Sequence, residues 1–119
     1  MDAKLLDQVF VYGTLRRGER NHSLLADARW LDGHRTAACY TLLDLGAYPG
    51  VVAGGRTAIV GEVYAITQAT LAQLDKLEDY PREYYRERIP TRHGPAWMYV
   101  YRHPVPGVSV IASGDWRLR

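Results

Sequence analysis

Tyr12-Gly13-Thr14-Leu15, followed by Arg16-Arg17-Gly18, puts a glycine and a hydroxyl residue where a β-branched, aromatic run stops. A strand ending this way can turn free backbone N–H groups towards a ligand, forming a nest for a carboxylate or a developing oxyanion. The same residues also read as a strand-terminating turn flanked by solvated arginines. A phosphate loop fits poorly: Gly13 and Gly18 have the Gly-x4-Gly spacing, but Glu19-Arg20 follows where such a loop carries Lys and then Ser or Thr.

Glu78 is the second candidate. Leu71, Leu74 and Leu77 recur at helical spacing, and at 100° per residue Glu78 lies about 40° from the middle of their stripe, whereas Lys76 lies about 160° away. Glu78 is thus expected to point inward near a helix C-terminus. The partial negative charge of that end, together with burial, disfavours ionisation and raises a carboxyl pKa towards the range a proton shuttle needs. The bland alternative is an inward glutamate paired with Arg82, Arg86 or Arg88.

Other chemistry-bearing residues are weaker candidates. Glu62 is a possible second inward acid, but its strand position favours a solvated face. Arg16, Arg17 and Arg20 form the one basic cluster, read as a solvated loop or as a contact for an anionic ligand. The four histidines, His22, His34, His93 and His103, lack ligand spacing, so no metal or other cofactor is expected. Cys39, in an apolar run, is expected to be an inert core residue, and no Gly-x-Ser-x-Gly elbow occurs. Tyr80, Tyr84, Tyr85, Tyr99 and Tyr101 are expected on strand faces and in the core, with one or two lining a site.

These residues need elements to hold them. Gln8 to Tyr12 reads as a buried strand, and Asn21 as the cap of a short helix through Ala26. Tyr40 to Leu43 suggests a strand, broken at Gly46-Ala47-Tyr48-Pro49-Gly50. Thr57 to Ile66 is a second clear strand, with Gly61 marking a bulge or a close backbone approach. Thr67 is placed to cap the main helix, Gln68 to Asp79. Tyr84 to Thr91 and Ala96 to Arg102 then read as strands joined at His93-Gly94-Pro95. The expected class is α+β, with short strands that could close into a small mixed β-barrel flanked by one main helix and one or two short ones.

Composition sets the frame. With 119 residues, 47% hydrophobic and 24% charged, the chain is expected to form one domain, residues 1–119. The one cysteine cannot form an internal disulfide. Nine Tyr and three Trp against one Phe favour rings that are buried with a polar tip satisfied. A net charge of +2 is too small to argue for nucleic acid. No run approaches the ~20 apolar residues of a membrane helix. Met1-Asp2-Ala3-Lys4 opens with mixed charge rather than an apolar leader, so a cytoplasmic protein without a membrane or nucleic-acid partner is expected. Oligomeric state is left open.

In order along the chain, several pieces resemble the gamma-glutamylcyclotransferase-like superfamily, in particular its small bacterial branch and the gamma-glutamylamine cyclotransferases. They are Val11 to Gly18 with Asn21-His22; Tyr48-Pro49-Gly50; Gly61-Glu62-Val63-Tyr64; Leu74 to Pro81 with Tyr84 and Arg86; and Ala96 to Tyr101 with Ser113-Gly114-Asp115-Trp116. The resemblance implies a mixed β-barrel flanked by helices, with a cavity between the Tyr-Gly-Thr-Leu loop and the end of the main helix. It implies that Tyr12, Gly13, Thr14 and Leu15 bind the gamma-glutamyl group of a small-molecule substrate and that Glu78 is the catalytic proton shuttle. The implied products are 5-oxoproline and a free amine. One departure is Asp79, which stands where many members have Gly after the acid. Some small bacterial members lack the acid, so a non-catalytic module binding an amino-acid-like ligand in the same cavity is the alternative; an interaction domain using the Arg16, Arg17, Arg20 loop is a third reading.

Overall fold

The computed structural model describes residues 4–119; Met1 to Ala3, part of the N-terminal opening read above, lie outside the described residues. The strands are β1 (Asp7–Val11), β2 (Arg29–Arg35), β3 (Tyr40–Asp44), β4 (Pro49–Ala53), β5 (Val60–Ile66), β6 (Tyr84–Ile89) and β7 (Ala96–Tyr101). The helix α1 (Gln68–Leu77) lies between β5 and β6, and single 3-10 turns cover His22–Leu25 and Trp116–Leu118. The α+β class expected from the sequence is the class of the fold.

One sheet has the order β2-β5-β1-β7-β6, with β1 antiparallel to β5 and parallel to β7. A β3–β4 hairpin forms a second sheet. Among the described residues no ladder joins β2 to β6, so the strands make an open sheet plus a hairpin rather than one closed barrel. Alternation along the central strands explains why closure is unnecessary. Phe10, Val63 and Met98 pack on one face with Leu42 and Val51 of the hairpin, while Val9, Tyr64 and Tyr99 pack on the other with Leu74 of α1 and Leu25. Both faces are therefore covered. Leu74, fully buried, anchors the helix and contributes about 2 kcal/mol by leaving water.

Several local expectations change. The Thr67 hydroxyl caps α1 by accepting from the Thr70 N–H at 3.1 Å, as expected, but the helix stops at Leu77 instead of Asp79. Leu77 is 40% exposed and lies outside the core stripe. Asn21 makes no cap bond. β2 and β4 are strands where no clear strand was expected. Cys39 is exposed, just before β3, instead of buried in it. Gly61 does mark a close approach: a Cβ there would lie 2.2 Å from the Val11 carbonyl oxygen. No helix among the described residues is long and apolar enough to cross a membrane.

Candidate active site

The Tyr12–Leu15 loop is held from below by its own tyrosine. The buried Tyr12 hydroxyl donates to the Tyr99 carbonyl at 2.8 Å and accepts from the Val51 N–H at 3.1 Å, tying the end of β1 to β7 and β4. Gly13 then passes close to Pro49, whose Cγ and Cδ would lie 2.7 Å from any Cβ added there. The loop's acceptors are used internally. Arg16 N–H donates to the Gly13 carbonyl and Asn21 N–H to the Thr14 carbonyl. The Asn21 side-chain amide donates to the Thr14 hydroxyl at 2.9 Å, which is why it caps nothing. The donors are not used: among the described residues, the backbone N–H groups of Gly13, Thr14 and Leu15 have no protein acceptor.

Glu78 is the C-cap of α1. After it, Asp79 takes the left-handed φ of 49°, and the chain is locked by Tyr80 N–H to the Asp75 carbonyl at 2.9 Å and Asp79 N–H to the Lys76 carbonyl at 3.2 Å. This is a Schellman stop, in which the left-handed position is usually glycine. The glycine common in the resembling proteins and the Asp79 of this chain therefore occupy a position defined by backbone shape. The Asp79 carboxylate turns outward to Arg82 at 2.7 Å.

The arginines expected as alternative partners of Glu78 are engaged elsewhere: Arg82 by Asp79, Arg86 by Asp75 at 2.9 Å, and Arg88 near Asp7 at 3.8 Å. Among the described residues Glu78 has neither an ion pair nor a side-chain hydrogen bond. Burial first, and the Glu83 carboxylate second, push its pKa up to about 7. A carboxyl poised there can both accept and return a proton near neutral pH.

These parts meet in a cavity of about 210 Å³, whose walls include all of Tyr12, Gly13, Thr14 and Leu15 together with Glu78. Tyr84 and Tyr99 also line it, and both phenols are raised in pKa chiefly by burial, so they remain neutral donors. Tyr84 donates to the Pro49 carbonyl at 2.8 Å, and Tyr99 to Asp75 at 2.7 Å. Two wall residues were missed from sequence, Glu83 and Tyr48; the Tyr48 hydroxyl donates to Glu83 at 2.8 Å, which pushes the phenol up to about 12. Tyr48 did carry a signal, as the first residue of the resembling piece Tyr48-Pro49-Gly50; Glu83 has only its position between the end of α1 and the start of β6.

Glu62 and the arginine cluster correct the sequence reading. Glu62 is 5% exposed, because β5 is covered on both faces, and it does not line the cavity. It accepts from Arg16 at 3.1 Å, from the Arg17 N–H and from the Tyr64 hydroxyl. Arg16 is buried between Glu62 and Asp115 instead of solvated. Arg17 lies over the Trp30 ring, and only Arg20 of the three lines the cavity.

Comparison with known proteins agrees with this architecture. Residues 9–118 match the family model described as gamma-glutamyl cyclotransferase, AIG2-like. A Vibrio cholerae protein, provisionally named a gamma-glutamylcyclotransferase, is 52% identical over 108 residues, covering 91% of this chain and 93% of that protein. The gamma-glutamylcyclotransferase family protein YtfP of Escherichia coli is 48% identical over 109 residues, covering 92% and 95% respectively. Its solution NMR structure aligns with a TM-score of 0.77 over 92% of this chain and 95% of that chain. The crystal structure of the uncharacterized protein PH0828 from Pyrococcus horikoshii aligns with a TM-score of 0.80 at 27% identity, over 92% of this chain and 89% of that one. With nearly the whole chain matched in sequence and in fold, this protein belongs to the gamma-glutamyl cyclotransferase, AIG2-like family of cyclotransferase-like enzymes.

Proposed function

We propose that the chain, acting as a single cytoplasmic domain of residues 1–119, cyclises a small gamma-glutamyl amine or peptide to 5-oxoproline and releases the free amine, with Glu78 as the proton shuttle. The observation that carries this reading is an unpaired carboxyl with a pKa of about 7 in one cavity with three unsatisfied backbone N–H groups.

The substrate contains its own nucleophile. Holding the alpha-amino nitrogen against the gamma-carbonyl carbon turns the attack into ring closure within one molecule, so the enzyme supplies folding and proton management instead of a covalent intermediate. Ionised Glu78 takes the proton from the attacking nitrogen as the new C–N bond forms. The N–H groups of Gly13, Thr14 and Leu15 stabilise the tetrahedral oxyanion, in a site where donors are preorganised and need no rearrangement. Protonated Glu78 then passes its proton to the leaving nitrogen as the old amide C–N bond breaks. No water is consumed, and all atoms of the substrate are recovered in 5-oxoproline and the amine.

The test is to incubate the protein with a panel of gamma-glutamyl amines and peptides and to measure 5-oxoproline. Turnover in the parent and its loss in Glu78→Gln are expected; turnover unchanged by that substitution would sink the proton-shuttle mechanism.

A further inference from the structure

Arg20 belongs to two cavities. It lines the candidate active site, and with Thr14 it also lines a neighbouring depression walled by Gly18, Ala47, Trp116 and Arg119. Thr14 and Arg20 are therefore the shared boundary between the two spaces, and a ligand extending from the first across them enters the second. The first cavity has its acids, Glu78 and Glu83, and no arginine other than Arg20. The second has two guanidiniums, Arg20 and Arg119, and one acid, Glu19, which already accepts from the Trp116 indole N–H at 3.2 Å and lies 3.9 Å from Arg117. Arg119 is stacked on Trp116 and donates to its carbonyl. Arg20 makes one bond, from Nη2 to the Ala47 carbonyl at 2.7 Å, and among the described residues it has no acidic partner. Its other N–H groups are open, in a fork whose geometry suits a carboxylate.

Resting on the cyclotransferase reading, we infer that the leaving half of the substrate extends past Thr14 into this depression and carries a carboxylate, which Arg20 binds. The preferred substrate class is then a gamma-glutamyl amino acid or peptide, and a gamma-glutamyl diamine is disfavoured because its free ammonium would face Arg20 and Arg119. The competing source of a carboxylate is the glutamyl group itself, and substrates differing only in the leaving half separate the two.

The experiment compares kcat/KM for gamma-glutamylglycine with that for gamma-glutamylglycinamide, which has the same shape without the charge, in the parent, Arg20→Gln and Arg20→Lys. The parent is expected to prefer gamma-glutamylglycine by about ten- to a hundredfold, mostly through KM. Arg20→Gln should bring the ratio near one, and Arg20→Lys should restore part of it. No preference in the parent, or an Arg20→Gln loss of equal size on both substrates, overturns the inference while leaving the cyclotransferase reading intact. Absence of 5-oxoproline from either substrate and from the wider panel overturns both.

Discussion

Glu62 is buried and Glu78 half-buried, and the two glutamates are surrounded in opposite ways. Glu62 has Arg16, the Arg17 N–H and the Tyr64 hydroxyl on its oxygens, with Asp115 completing the charge balance around Arg16. Glu78 has none of these, and its nearest charged influence is another carboxylate, Glu83. A buried carboxylate supplied with donors on its oxygens is tied into the fold and serves its stability. One left without donors stays half-protonated near neutral pH and is free for chemistry. Being a glutamate and being buried are thus not enough to mark the reactive acid; the arrangement of donors distinguishes it.

The contrast can be broken most directly by neutralising each acid. Glu78→Gln should lower kcat/KM by about a hundred- to ten-thousandfold, the usual contribution of a general acid–base, with the circular dichroism spectrum unchanged. Glu62→Ala should do the reverse, costing about 3–5 kcal/mol in denaturant unfolding because Arg16 is left buried with half its partners. If Glu62→Ala folds as stably as the parent, the structural role assigned to that acid is wrong.

Stability against pH sharpens the same comparison. The ordinary glutamate pKa is 4.5 and that of folded Glu78 about 7, so between those values the folded state binds the extra proton and stability falls as pH rises, by up to about 3 kcal/mol. Glu78→Gln does not titrate; its unfolding free energy should gain on the parent from pH 4.5 to 7 and run parallel above. In activity, kcat/KM of the parent should rise with pH through about 7, as the base form of Glu78 appears, and Glu83→Gln should move that limb to lower pH. A profile unmoved by Glu83→Gln would leave burial as the whole cause.

Smaller effects are expected from backbone changes around the two sites. Gly13→Ala forces a Cβ to within 2.7 Å of Pro49 and should cost about 1–3 kcal/mol in stability, together with turnover, since the loop N–H groups must shift. Asp79→Gly should lie within about 1 kcal/mol of the parent, because the φ of 49° suits glycine and the exposed Arg82 pair is worth little. Asp79→Ala, which loses the pair and the ease with which aspartate adopts this backbone, should lose no more than about 1 kcal/mol. Neither should move the pH profile, since Glu83 and burial set the Glu78 pKa.

Much of this arrangement was legible in the residues. β1, β5, α1 and the β6–β7 pair announce themselves by periodicity; the leucine stripe drew attention to Glu78, but Leu77 of that stripe is exposed and Glu78 reaches the cavity as the cap just past the helix end. β4 was hidden because Pro49 and Gly50 normally break a strand, whereas here a side chain at Gly50 would meet the Tyr101 Cβ at 2.8 Å. Glu62 and Arg16 were misread for a tertiary reason: alternation assigns a residue to a face, and only the packed fold says that both faces of β5 are covered. Glu83 and Tyr48 join the cavity across a long sequence separation, which no local pattern records.

The position of β1 in its sheet has a consequence for biosynthesis. β1 pairs with β5 and β7, both made after it, and the Tyr12 hydroxyl waits for Val51 and then Tyr99. Pairings so distant in sequence make folding slow, because loops must close before any contact rewards them. A nascent chain halted before β7 would have Glu78 and the Gly13 loop already synthesised and β1 free to pair with β5, but it would lack the Tyr12 to Tyr99 tie and the β1–β7 ladder that fix the loop. The site is therefore completed only once β7 is made, and a chain ending before β7 should lack the Tyr99 wall of the cavity and bind ligand more weakly than the parent.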